Sequence, residues 1–536
     1  MTDRISNWTA ADTAMVENAI RRGATRRELL NMLLMGGVAL TAGAGVLTRA
    51  TTAVAATPVK GGHIRAAGWS SSTSDTLDPA KASLSTDYVR CSAFYNRLTY
   101  LGEAGKISME LAESIESKDA KVWTVKLRKG VTFHDGKTLT SKDVVFSLKR
   151  HLDPAVGSKV NAIAKQMTGF AAKDDLTVEV TLANPNADFP TIMAIHQFMI
   201  VADGTTDFSK GNGTGAFVCK VFEPGTRSVA ERNKNYWKAT GPYLDSFEYI
   251  AISDGTARAN ALLSGDIQFA SNMNAQTSRL LENNPKVTLT KQATGNYSDL
   301  NARLDLDPGN KAGFATGLKY LINRETIKTS VLRGLAEIAN DQPVPPSNIY
   351  YNKELKAKPY DPEKAKFYFQ KAGLIGKKIP IITSEAVTAG VEMAIVLQQA
   401  AQEIGMDFDL QRVPSDGYWS KYWLKAPVHF GNINPRPTPD ILFSLLYTSD
   451  APWNESQYKS PQFDKLVLEA RGMLDQTKRA EMYHEMQRMI AEDAATVIPV
   501  FMGGIDATTS KLKGLRPNPL GGSMGYAFAE YVWLES

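Results

Sequence analysis

His134 and Asp135 stand side by side in GVTFHDGKTLTSKDVVFSL, residues 130–148, and a histidine beside a carboxylate is the pairing from which general-base chemistry is built. Such a dyad also needs a nucleophile or a metal. The sequence has no G-x-S-x-G elbow, no G-x-x-x-x-G-K-[ST] phosphate loop and no H-E-x-x-H pair. HEMQR, from His484 to Arg488, opens like the last of these but ends in arginine on an amphipathic helical pattern. The six histidines, at 63, 134, 151, 196, 429 and 484, show no spacing suited to a preformed metal site, so no metal or cofactor is expected. GNGTGAF, from Gly211, precedes a strand rather than opening a helix, and so lacks the exposed amides that cradle phosphate.

The elements around the dyad explain it without catalysis. In VWTVKL, from Val122, Trp123, Val125 and Leu127 alternate with polar residues, which is the period of a half-buried strand. Asp135-Gly136 then suits a tight turn, and Thr140 to Asp143 has the form of a helix N-cap box. Val144, Val145, Leu148 and Leu152 give that helix an apolar face, and Pro154 closes it. The stretch is thus predicted to be a strand, a turn and a capped helix, with His134-Asp135 at the corner. A secreted hydrolase using the pair is the rival from a different functional class.

Further along, TGAFVCKVFEPGTRSVAERNKNYW has the alternation and central Pro-Gly of a hairpin, and DSFEYIAIS is another strand. GTARANALLSGDIQFA predicts a helix ended by Gly265 and then a strand. GVEMAIVLQQAAQEIGMDFDLQRV predicts a long helix running into a strand, and the interleaving amounts to an α/β chain without internal repeats. At 536 residues, with 43% hydrophobic and 22% charged, the chain exceeds what one core can organise, so two or three lobes are expected.

The net charge is +5, and residues 1–55 hold six arginines against four carboxylates, leaving a surplus of three for the rest. So slight an excess, with no basic stripe, excludes a nucleic-acid binder. Residues 1–55 have the form of an export signal: Arg26-Arg27, an apolar stretch from Leu29 to Leu47, and small residues at Ala53-Val54-Ala55. The paired arginines resemble a twin-arginine signal, whose cleavage would leave a free periplasmic protein. The alternative is an uncleaved anchor, since the apolar run is just long enough to span a bilayer. Cys91 and Cys219 are the two cysteines, and with nothing local bringing them together they are expected to be unpaired thiols.

The aromatic residues are the better pointer to a binding site. Tyr418, Trp419, Tyr422 and Trp423 fall within six residues, and Trp453-Asn454 follows the loop NPRPTPDILFSLLYTSDAPWNES. VWTVKLRKGVTFHDGKTLTSKDVVFSLKR resembles the signature of the family 5 solute-binding proteins of bacterial ABC importers, the peptide/nickel/opine group. TLDPA, ALLSGDIQFA, LINRETI, YDPEKAKFYFQKAG and PQFDKLVLEARGMLDQTKRAEMYHEMQRMIAEDAATVIPVF resemble the same family in the same order.

The resemblance implies a two-lobed α/β periplasmic-binding fold whose discontinuous lobes are crossed by hinge strands. Lobe one would comprise 57–100, 212–293 and 500–536, an inserted subdomain 101–211, and lobe two 294–499. It implies a monomer that captures a small solute by Venus-flytrap closure, delivers it to an inner-membrane ABC permease and does no covalent chemistry. Peptide binders of the family place an acid ahead of the segment corresponding to TPDILF, where this chain has Pro435-Arg436, and dipeptide binders place an arginine where it has Ser384-Glu385. An ammonium buried against Arg436 would be a costly like-charge contact, so an oligopeptide, opine or other carboxylate-bearing solute is favoured over a zwitterionic dipeptide. The rival ligands are an opine or sugar acid and, further off, a nickel chelate or haem. The expected ligand contacts are Trp69, Asp78, Tyr297, Trp419, Arg436, Asp440, Trp453 and Asn454.

Overall fold

The alternating VWTVKL forms the strand Val122–Leu127, buried at every second residue. Gly136 takes φ +89°, which the tight turn after Asp135 requires. Thr140 and Asp143 then make a reciprocal capping box that starts the helix Ser141–Arg150. This is a computed structural model; it describes residues 58–535 apart from 103–104, 274 and 519–520, so the expected export signal at 1–55 lies outside the described residues.

His134 sits at the corner as expected, held by backbone. Its Nε2–H donates to the Gly215 carbonyl (3.1 Å) and its Nδ1 accepts from the Gly213 amide (3.4 Å). Asp135 is turned elsewhere: Oδ2 accepts from the Asn212 side chain (2.8 Å) and Oδ1 from the Lys137 amide (3.0 Å). Burial lowers the His134 pKa, so the ring is neutral. The pair pins the glycine-rich 211–215 loop to the turn.

Among the described residues, twelve strands form one mixed sheet. Its middle is made of two long antiparallel strands, Val287–Ala302 and Val500–Thr509. On one side follow Phe269–Met273, His63–Gly68, Ser246–Ala251 and the hairpin Arg227–Arg232 with Phe217–Glu223. On the other side Val287–Ala302 pairs with Val428–Ile433, and Lys378–Thr383 and Asp407–Arg412 continue the sheet in parallel. A separate four-stranded antiparallel sheet contains Val122–Leu127.

The apolar residues gather in distinct cores. One centres on Phe94, Phe217, Phe247, Phe269 and Phe528, and a second, whose buried members all lie within residues 98–202, centres on Trp123, Val178, Val180 and Phe189. Two more draw on residues 297–501, one around Phe314, Phe369, Leu397 and Phe430 and one around Phe443, Phe463, Tyr483 and Phe501. No helix among the described residues is long and apolar enough to cross a membrane. Cys91 is buried and Cys219 half-buried, and both are free thiols.

Buried charges are matched closely. Arg90 and Asp75, both fully buried, meet at 2.6 Å and tie the polar loop after His63–Gly68 to the helix Ser85–Phe94. Asp299 and Glu455 differ, because they flank Gly431 so tightly that an added Cβ there would fall within 2.6 Å of both carboxyls. Their neighbours are Asn301, which donates to Glu455, and His429, 3.7 Å from it. Burial raises both carboxyl pKa values, and Asp299 raises that of Glu455 further.

Three outcomes follow from these contacts. Arg90→Met leaves Asp75 charged and buried and should lower unfolding free energy by about 3–5 kcal/mol in urea titration. His134→Ala orphans the Gly213 amide and leaves the Gly215 carbonyl with Asn233 as its remaining donor (3.0 Å), and should cost about 1–3 kcal/mol while creating and abolishing no activity; hydrolysis by the native protein that vanished in the variant would instead establish catalysis. The raised pKa values of Asp299 and Glu455 contribute stability that is full below the ordinary carboxylate range and lost as pH rises through their folded values. Melting curves of Asp299→Asn should therefore gain on the native protein as pH is raised from about 5 to about 8.

Candidate functional site

The polar loop that begins at Trp69 cannot fold on an apolar core of its own, so side-chain oxygens hold it. Asp87 accepts from the amides of Thr76, Ser83 and Leu84 (3.0–3.2 Å), and Ser70 bonds Ser85 (2.6 Å). The loop thereby forms one wall of a cavity of about 520 Å³. That volume lies within the range of about 300–1,000 Å³ of small-molecule sites.

The floor comes from the two long strands. The pairing of Val287–Ala302 with Val500–Thr509 shifts register between Ala293 and Asn296, a bulge that re-aims side chains. Gly295, at φ +71°, permits it, since an added Cβ would come within 3.0 Å of Pro345 and 3.4 Å of Pro435. Gln292, Thr294 and Asn296 consequently line the cavity together with Gly504 and Asp506. Thr294 donates to the Met502 carbonyl (2.8 Å), but Gln292 Nε2 and Asn296 Oδ1, both shielded from solvent, have no hydrogen-bond partner within the protein among the described residues. Unpaired buried polar atoms are rare, and here a donor and an acceptor lie in one wall.

The remaining walls are aromatic and charged. Tyr88 stacks on His196 at 5.0 Å, and Tyr526 packs against both at 5.0–5.2 Å. Burial, reinforced by Arg97, pushes the His196 pKa down to about 3, so the ring is neutral, its Nε2–H donating to Gly525 O (3.1 Å). Arg436 enters from the segment after Val428–Ile433, braced over the Trp453 ring at 5.7 Å. Its Nη1 donates to the Asn434 and Pro435 carbonyls (3.0 and 3.2 Å), and among the described residues no carboxylate pairs with it. Burial lowers its pKa, yet a guanidinium stays charged.

Of the residues singled out in the sequence, Trp69, 44% exposed, and Arg436 line this cavity. Trp453 stands behind Arg436 and packs edge-on against Trp423 at 5.6 Å. Tyr297 follows Asn296 but is buried against Phe501, and Trp419 is 41% exposed beside Tyr418 and Trp423. The polar groups of the other three are taken up inside the protein. Asp78 caps Pro79–Lys81 and forks onto Arg150 (2.8 and 3.2 Å). Asp440 accepts from Arg471 Nε (3.0 and 3.1 Å), burial raising its pKa to about 6. Asn454 staples its turn through Thr448 and Tyr458.

Sequence reasoning missed Tyr88, His196, Gln292, Asn296, Asp506 and Tyr526. An available signal was Asp506 itself, an acid inside the strand-like VFMGGIDATT.

Comparison with known proteins agrees with this architecture. Di/tripeptide-binding protein 1 from Pseudomonas aeruginosa is 27% identical over 78% of this chain and 85% of its own length. Glutathione-binding protein GsiB from Pectobacterium atrosepticum is 26% identical over 84% and 90%. The periplasmic binding protein DppA from Helicobacter pylori, solved with the peptide STSA, is 26% identical and superposes with a TM-score of 0.70 over 89% of this chain and 99% of that one. Residues 106–455 match the family description "Bacterial extracellular solute-binding proteins, family 5 Middle". With that match spanning most of the chain, and with the two-lobed periplasmic-binding fold, the chain belongs to the family 5 bacterial extracellular solute-binding proteins.

Proposed function

We propose that the protein captures a peptide-like solute in the periplasm by closing two lobes over the cavity and hands it, chemically unchanged, to the permease of an ABC importer. The observation that carries this reading is the pair of unpartnered polar atoms in the cavity floor, Gln292 Nε2 and Asn296 Oδ1. An amide group supplies what they lack, a carbonyl to accept from Gln292 and an N–H to donate to Asn296. Arg436 adds a fixed positive charge that a solute carboxylate would meet.

Separate apolar cores on either side of the crossing strands support hinged lobes, with 57–100, 212–293 and 500–536 moving against 294–499. Relatives named for di/tripeptides and glutathione support the ligand class. We infer export by the signal in residues 1–55, its removal, and action as a monomer. The internal bonding of His134 and Asp135 supports a binding rather than a catalytic role.

A thermal-shift screen of di- and tripeptides, glutathione, opines and sugar acids tests the reading. A true solute at about 100-fold excess over Kd stabilises the folded state by about 2.7 kcal/mol, and it should also change the fluorescence of Trp69 at the cavity wall. Arg436→Ala should weaken that solute by about 2 kcal/mol or more, while the melting temperature without solute changes little. Stabilisation by opines or sugar acids but by no peptide would refute the peptide assignment.

A further inference from the structure

We infer that Asp506 is the cation-accepting residue of this cavity and selects solutes that carry a primary ammonium group; the inference rests on the cavity being the solute site. Asp506 lies on Val500–Thr509, is 2% exposed, and contributes to the cavity wall. Its Oδ1 accepts from the Asn272 amide (3.1 Å) and its Oδ2 from the Ser523 amide (2.5 Å). Two amides do not exhaust a carboxylate, which accepts about four hydrogen bonds.

Of the other buried aspartates, Asp75, Asp78, Asp188, Asp341 and Asp440 pair with an arginine and Asp143 with Lys137. Asp87 also lacks a basic partner among the described residues, but three backbone amides fill it, and Asp299 stands beside Glu455. Asp506 has no basic partner among the described residues. The titratable groups that face it are phenols, Tyr249 from Ser246–Ala251 and Tyr526 from the 521–526 segment. On the adjacent long strand the nearest base, Lys291, is in register with Ile505, whereas Asp506 pairs with Thr290 and so projects from the other face of the sheet. Burial therefore raises the Asp506 pKa to about 6 against the pull of its two amide donors. An ammonium would supply both the missing positive charge and further donors.

The competing role is purely structural. Ser523, Met524 and Tyr526 have φ of +59°, +56° and +70°, and the Ser523–Asp506 bond helps to hold that left-handed segment. A brace of this kind would not distinguish solutes by their amino terminus. It would also give solute affinity no dependence on pH near 6. Those two readouts separate the roles.

Calorimetric titrations of the purified protein with trialanine, N-acetyl-trialanine and trialanine amide decide the matter. Removing the ammonium should weaken binding roughly tenfold or more, as expected for a charge-assisted hydrogen bond. Trialanine affinity should rise as pH goes from about 5 to about 7.5, because a bound ammonium favours the ionised carboxyl. Both effects should vanish in Asp506→Asn, while the penalty for C-terminal amidation, assigned to Arg436, persists. Equal binding of trialanine and its N-acetyl form by the native protein, with no pH dependence, overturns the assignment and leaves the peptide reading standing. That comparison needs no variant, so it decides even if Asp506→Asn folds poorly. Failure of all three probes to bind overturns the peptide reading and this assignment together.

Discussion

The structure depends on keeping two long strands hydrogen-bonded while they pass between separate cores. Val287–Ala302 pairs first with Val500–Thr509 and then with Val428–Ile433, so its backbone is satisfied on both sides of the crossing. A break there would expose amides and carbonyls that have no other partner. The bulge at 293–296 is the allowed departure. It costs little pairing, it bends the strand where Pro345 and Pro435 crowd Gly295, and it leaves two side-chain amide atoms facing the cavity without a protein partner.

Charge placement follows the same economy. Several buried carboxylates are matched by arginine, as with Asp75–Arg90 at 2.6 Å and Asp440–Arg471 at 3.0 Å, others by lysine, as with Asp143–Lys137 and Glu530–Lys238, and Asp87 is held by three backbone amides. Four buried or half-buried ionisable groups without such a match fall in or beside the cavity. Arg436 and Asp506 line it, and Asp299 and Glu455 stand behind it, on and beside the strands that deliver Asn296 and Arg436. An unmatched buried charge is destabilising, so a cavity holding one of each sign is best satisfied by a partner from outside. On the proposed assignment, the ammonium disfavoured beside Arg436 would sit at Asp506 instead.

The local elements were legible because their signals are local. Alternation in VWTVKL, the Thr140–Asp143 box and the left-handed Gly265 cap after Gly255–Ser264 each involve neighbours within a few residues. Trp69 and Arg436 were legible because an exposed tryptophan after a first strand and an arginine in a Pro-rich loop are poor core residues. Asp78, Asp440 and Asn454 looked similar, but their partners Arg150 and Arg471 lie 72 and 31 residues away, and the Asn454 staple needs the turn to be folded first. Gln292 and Asp506 were illegible for a stronger reason: their contacts run to Asn518 and Asn272, more than 200 residues distant, and only the strand register brings them to one wall.

On the reading proposed above, the same arrangement explains why a solute should close the lobes rather than merely occupy one of them. A ligand shifts an equilibrium only by its difference in affinity for the two states. Taking an open form to a predominantly closed one, from 1:99 to 99:1, requires about 5.5 kcal/mol of such difference. A charge-assisted hydrogen bond contributes about 1.5–3 kcal/mol, so two of them, made only when both sides of the cleft are present, come close to that requirement. Arg436, carried by the Val428–Ile433 side of the crossing, and Asp506, carried by the opposite side with the 521–526 segment, are placed to make one each. The amide atoms of Gln292 and Asn296 lie on the crossing itself and contact a solute in either state, which suits them to capture rather than to closure.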